Sequence, residues 1–154
     1  MVVRIDAVAS RHVQDDANDS RSLAASCAEA CLARGSTNGN ALLPLIVYTG
    51  VYRDGNVVEP AQAPYTQRYL TEHKRVASDA FSFDIDHLLP GVEIAEGMIR
   101  SQGLPCAMVL AVDSGICYAE PKGAEVRPAA AALLLAPSDH GEGFVAFRTD
   151  VFPE

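Results

Sequence analysis

The chain has 154 residues, 49% of them hydrophobic, which is enough for one domain with its own core and too few for two ordinary ones. Its 12 lysines and arginines against 20 aspartates and glutamates leave a net charge of -8, a sign that repels a phosphate backbone or an anionic membrane surface. A single domain over residues 1–154 is therefore expected, with neither nucleic acid nor membrane as a partner.

The four cysteines, Cys27, Cys31, Cys106 and Cys117, lie inside apolar stretches, and the opening "MVVRIDAVASRH" lacks the basic and apolar tract of a secretory signal. Both features predict a reduced, cytoplasmic protein. The most apolar run, Ala129 to Ala136, falls far short of the ~20 residues that cross a bilayer, and it reads as a buried strand.

Val2 to Ala9 alternates as a first strand, and the polar "RHVQDDANDS" after it reads as a loop whose Ser20 caps a helix. From Arg21 to Arg34, Leu23, Ala24, Cys27, Ala28, Cys31 and Leu32 recur at helical spacing, with Gly35 as the stop. "ALLPLIVYTG" is short, bounded and rich in branched residues, as a strand buried on both faces should be. Pro44 must then sit near its start or beside a missing ladder bond. "VYRDGNVVEPAQAP" reads as a loop and "YTQRYLTEHK" as a helix of low periodicity.

A strand from Ala80 to Asp86 follows, then a helix that begins near Pro90 and is closed by Gly103, since proline suits a first helical turn and glycine a helix end. "PCAMVLAVDSG" reads as another buried strand, "YAEPKGAEVR" as a polar loop, and "PAAAALLLAP" and "GFVAFRTDVF" as two further strands. Strands alternating with helices predict the α/β class, with a mixed, mostly parallel sheet covered by helices.

In this order, "SLAASCAEACLARG", "LLPLIVYTGVYRDG" and "FSFDIDHLLPGVEIAEGMIRSQGLPCAMVLAVDSG" resemble the N-terminal half of the thiolase-fold condensing enzymes, closest to beta-ketoacyl-acyl-carrier-protein synthase III. The resemblance runs from Val3 to Asp150 and implies a thiolase-like half-domain. In that family a Phe-Asp-Ile strand runs into the buried helix that carries the nucleophilic Cys, with a Gly two residues later. Phe83, Asp84 and Ile85 match the strand and Gly91 the glycine, which puts Leu89 at the nucleophile position. Leucine has no nucleophilic atom, and no Cys, Ser or Thr lies between Asp84 and Met98. The family's catalytic His and Asn belong to a C-terminal half that this chain ends before, so no condensing activity is expected from it alone.

The other candidates are modest. His87, beside Asp86, is a weak candidate for a general base in a residual pocket with Thr49 and Gly91, but a turn histidine bonded to backbone or water is the simpler reading. Cys27 and Cys31 share one helix face and read as small core residues, because two soft ligands with no nearby His do not make a metal site. Asp139, His140 and Glu142 in "SDHGEG" read as a hairpin turn. No phosphate-binding or dinucleotide loop is present in the sequence, and neither metal nor cofactor is expected. Glu93, Glu96 and Arg100 form a polar stripe opposite Gly91, Ile94, Ala95, Met98 and Gln102, which reads as a solvated helix face. Arg68, Lys74 and Arg75 are the nearest thing to a basic patch.

The sequence thus predicts a catalytically inactive, half-length relative of synthase III, an accessory or binding subunit in fatty-acid-like or polyketide-like biosynthesis. The rivals are a small acyl-thioester-related enzyme or ligand-binding protein reusing a pocket near His87, and a subunit that completes a separately encoded condensing-enzyme half. A condensing enzyme or another biosynthetic protein is the expected partner. Phe81, Phe83 and Ile85 on the Ala80 to Asp86 strand are candidates for a homodimer interface, because an unpaired strand edge seeks a partner.

Overall fold

The computed structural model describes residues 1–12, 20–36, 42–50, 62–85, 87–113 and 128–147. Their elements run β1 (Val2–His12), α1 (Ser20–Leu32), β2 (Leu43–Thr49), α2 (Gln62–Glu72), β3 (Val76–Ile85), α3 (Leu88–Gln102), β4 (Ala107–Asp113) and β5 (Ala129–Ser138). The strands form one sheet in the order β1-β5-β4-β2-β3. β2 is parallel to both β3 and β4, while β5 lies antiparallel between β4 and β1. Four strands therefore point one way and β5 alone is reversed, as expected of a mixed, mostly parallel sheet.

Helices cover both faces. On one side Leu23, Ala24, Cys27, Ala28 and Cys31 of α1 and Ala63 and Leu70 of α2 pack on Ile46, Tyr48, Met108, Leu110 and Leu134. On the other, Val92, Ala95 and Ile99 of α3 pack on Leu45, Val47, Ala107, Val109 and Leu135. Central strands in such a sheet must be apolar at successive positions, and β2 and β4 are.

Two strands break the two-residue alternation to reach both layers. Val3 and Ala7 have the same parity, yet Val3 lies in the α3-side core and Ala7 in the α1-side core. The register with β5 slips between Ile5 and Ala7, so a bulge at Asp6 reverses the facing. Leu43 and Leu45 likewise belong to opposite cores, and the β2–β3 register slips between them, at Pro44. The ladder gap that proline demands is thus where the strand changes face. The Asp6 carboxylate, turned by its bulge, accepts from Arg4 Nη2 at 2.8 Å and from the Ser36 amide at 2.8 Å, and also from the Ser36 hydroxyl. It ties the exit of α1 to β1.

Several boundaries differ from the sequence reading. β1 continues through Arg11 and His12, which the loop assignment had claimed, and β3 starts at Val76 rather than Ala80. α2 starts at Gln62 and buries Gln62, Ala63, Thr66 and Leu70, a stripe at helical spacing that its polar composition hides. α3 starts at Leu88, two residues before Pro90, and ends on Gly103 in the left-handed conformation (φ 67°). "GFVAFRTDVF" is not a strand where it is described. Gly143 to Phe147 is irregular, with Phe144 and Phe147 laid against the α3-side core and the Phe144 amide bonded to Val3 O at 2.8 Å. "SDHGEG" is accordingly a surface turn leading to that segment and no strand hairpin. Cys117, Asp86 and the loops "YAEPKGAEVR" and "VYRDGNVVEP" lie outside the described residues.

The link between β3 and α2 is a cap supplied at long range. Asp84 Oδ1 accepts from the Gln62 amide at 3.0 Å, and both carboxylate oxygens lie 3.3 Å from the Ala63 amide. A carboxylate there satisfies two orphan N–H groups and meets the positive end of the helix dipole. Asp84→Ala is expected to lower unfolding stability by about 1–2 kcal/mol, with Asp84→Asn recovering part of the loss. Urea denaturation measures both, and an unchanged midpoint in the alanine variant would show that the cap is dispensable.

Candidate functional site

The parallel strands end together at Thr49 of β2, which Gly50 follows, at Ile85 of β3 and at Asp113 of β4, with the start of α3 set against them. Open α/β sheets place their ligands at this end. His87 stands just before the helix in an extended conformation (φ -128°, ψ 140°) and makes no side-chain cap. It is exposed, and Leu89 on the first turn is 72% exposed.

Gly91 is the point of closest approach. A Cβ there would lie 3.1 Å from Thr49 Cγ2, 3.3 Å from Val47 Cγ1 and 3.4 Å from Ile85 Cγ2, so only a hydrogen fits comfortably between helix and sheet. Gly50 serves the same purpose between strands, since a Cβ there would overlap the Val112 carbonyl oxygen. Thr49, Ile85 and Gly91 are therefore brought together, while His87 and Leu89 turn outward. Asp86 lies outside the described residues. Two surface cavities among the described residues lie elsewhere. One is beside Glu96, Gly97, Arg100 and Ser101 on α3, and the other lies between α1 and α2.

The α3 stripe needs correcting. Glu96 is buried, its side chain 8% exposed, and it pairs at 3.3 Å with Arg100, while Ile94 is 37% exposed. The helix is rotated so that Val92, Ala95, Glu96 and Ile99 face inward, and Glu96 is tolerated there because Arg100, one turn on, reaches it from water. The expected basic patch is also largely paired. Arg68 pairs with Glu72 at 3.2 Å and Arg75 with Glu29 at 3.6 Å, which leaves Lys74 alone.

Three cysteines are described, and all are buried. Cys27 Sγ donates to Ala9 O and Cys31 Sγ to Ala7 O and Ala132 O, each at 3.5 Å, so both thiols seat α1 on the sheet. Burial raises all three pKa values, those of Cys31 and Cys106 to about 11, with the nearby Asp6 charge adding to the rise at Cys106. Cys106 precedes β4 at the opposite end of the sheet from the α3 N-terminus.

No protein-family model matches the chain, and neither does any curated protein. Solved structures do. The chain is similar to a 3-oxoacyl-(acyl carrier protein) synthase III from Pseudomonas aeruginosa, with 16% identity, a TM-score of 0.71, and coverage of 92% of this chain and 52% of that one. OleA of Xanthomonas campestris with bound lauric acid and lauroyl-CoA gives 17% identity and a TM-score of 0.70, over 88% of this chain and 56% of that one. The HMG synthase of the curacin biosynthetic pathway, in complex with a holo donor acyl carrier protein, gives 17% and 0.70, over 92% and 44%. The chain has the fold of a thiolase-like half-domain. It spans about half the length of the structures it matches.

Within this half-domain, sequence reasoning missed the role of Asp84 as the α2 cap, because its partners stand 22 and 21 residues away in the chain. It also missed the contact between Arg21 and Tyr65 across the two outer helices.

The raised thiols have a measurable consequence. An unfolded cysteine ionises near ~8.5. Between there and about 11 the unfolded chain has released protons that folded Cys31 and Cys106 retain, so stability is intact below ~8.5 and falls as pH rises through this window. Urea midpoints at several pH values should show the decline, with a shallower slope in Cys31→Ala and Cys106→Ala. Equal slopes in the variants and the parent would assign the effect to other groups.

Proposed function

We propose that this chain is a binding or accessory component built on a thiolase-like half-domain, without condensing activity of its own, serving the assembly of fatty-acid-like or polyketide-like acyl chains. The observation that carries the reading is the turn between β3 and α3. From His87 to Gly91 it offers an exposed imidazole and no thiol or hydroxyl, and the residue at the position matched to the family nucleophile is an outward-facing leucine. Cys27, Cys31 and Cys106 do not substitute, because they are buried, held in their neutral form and placed away from this turn. The biosynthetic setting is analogy with proteins of like fold whose names concern acyl carrier proteins and acyl-CoA.

A chemically active pocket at His87 has less support, since its imidazole is exposed and Gly91 closes α3 tightly onto Thr49, Val47 and Ile85 at the strand ends. The reading as a subunit that completes another condensing-enzyme half is favoured by the outer side of α3, where Leu88, Leu89 and Ile94 are exposed. Incubation with a radiolabelled acyl-CoA, followed by denaturing electrophoresis, is expected to leave the chain unlabelled. A stable covalent label on any cysteine would sink the accessory reading.

The same reading includes a homodimer through β3. The two sheet edges differ in how they are closed. Along β1, Arg34 donates to Val8 O at 2.9 Å, Phe144 donates to Val3 O, and Asp6 interrupts the strand, all devices that discourage a second strand. β3 is the other edge and carries Phe81, 60% exposed. Phe83 and Ile85 pack instead against the α3-side core, so Phe81 is the side chain free to meet a twin. Phe81→Lys is expected to convert a dimer to a monomer in light scattering at tens of micromolar (roughly the range in which a specific interface holds). A monomeric parent or a dimeric variant would exclude this edge.

A further inference from the structure

The cleft between α1 and α2 lies across the sheet from α3 and is separate from the β3–α3 turn. It encloses about 230 Å3 and is lined by Arg21, Ser22, Ala25, Tyr65, Thr66 and Tyr69. Its chemistry is lopsided. Ala25 and Tyr69 contribute apolar lining, and Tyr69 is backed by His73, with ring centroids 4.3 Å apart. Arg21 stands at one end with its guanidinium carbon 4.1 Å from the centre of the Tyr65 ring.

Among the described residues Arg4, Arg68, Arg75 and Arg100 are each neutralised by a carboxylate, and Arg21 is not. The cation–π contact sets the guanidinium carbon over the Tyr65 ring, an attraction to the ring face that leaves the N–H groups of Arg21 without a carboxylate among the described residues. Tyr65 thereby fixes the orientation of a long side chain that would otherwise lose rotamer freedom on binding. A carboxylate meets such a fork in a coplanar, two-bonded arrangement. Ala25 and Tyr69 line the same cleft, so a flat apolar body attached to that carboxylate has apolar side chains to rest on. The volume corresponds to on the order of eight water molecules, which limits the occupant to a single ring or a short chain.

We propose that the cleft between α1 and α2 binds a small aryl carboxylate, held by the in-plane N–H groups of Arg21 with its ring against Ala25 and Tyr69. Ser22 and Thr66 also line the cleft, the Thr66 hydroxyl donating to Gln62 O at 3.4 Å. The overall charge of -8 slows the approach of any anion, so affinity depends on the local fork and not on long-range attraction. This inference is independent of the accessory role, and either can fail without the other.

The test is a proton–nitrogen NMR titration of the full chain with sodium benzoate and, separately, with neutral benzamide, at constant ionic strength. Benzoate should give saturable shifts confined to the amides of Ser22, Ala25, Tyr65, Thr66 and Tyr69, with a dissociation constant on the order of a millimolar for so small a ligand. Benzamide should bind at least ~10-fold more weakly, because it lacks the charge that Arg21 recognises. Arg21→Met should reproduce that loss with benzoate, and Ser22→Trp should block the cleft while leaving the guanidinium in place. Arg21 and Ser22 are exposed, so an unperturbed spectrum elsewhere shows the fold to be retained. Shifts that are absent, diffuse or unsaturable would overturn the proposal. So would equal affinity for benzamide, or benzoate binding unchanged by Arg21→Met.

Discussion

A sheet covered on both faces must present apolar side chains up and down from the same strands, and the rest of this structure follows from that constraint. β2 and β4 satisfy it with nearly unbroken hydrophobic runs. β1 and β5 meet it with small residues as well, so that Ala7, Ala9, Ala130 and Ala132 let α1 come close enough for Cys27 and Cys31 to bond strand carbonyls. The bulge at Asp6 and the irregularity at Pro44 belong to the same requirement, since each lets one strand feed both cores.

Polar groups in this framework mostly join elements to one another. Asp84 holds the start of α2 against β3, Asp6 holds the end of α1 against β1, and Glu29 with Arg75 spans from α1 to the segment before β3. Each carboxylate meets backbone donors or a guanidinium, which keeps the cost of removing it from water low. At the strand ends the contact is apolar and tight. Gly91 lies on Thr49, Val47 and Ile85, and the residues with chemical potential at that turn face outward.

Much of the architecture was legible in the residues. The order of strands and helices, the double-sided burial of Leu43 to Thr49 and of Ala107 to Asp113, the glycine closing α3 and the small inward face of α1 all rest on patterns carried by near neighbours. The resemblance to the condensing-enzyme half extended this to the fold itself, which the solved structures bear out at low identity. What misled was composition. α2 looked aperiodic because its inward stripe includes Gln62 and Thr66, and Glu96 looked solvated because it is charged.

The sequence by itself determined where helices and strands form, because side-chain spacing and turn residues act over a few positions. Only the tertiary structure decided which strands are edges, that Asp84 caps a helix 22 residues upstream, that Glu96 turns inward under the reach of Arg100, and that Arg21 stacks on Tyr65. These depend on how the helices rotate and settle on the sheet. That rotation is set by the summed packing of both cores, a quantity that no local pattern contains.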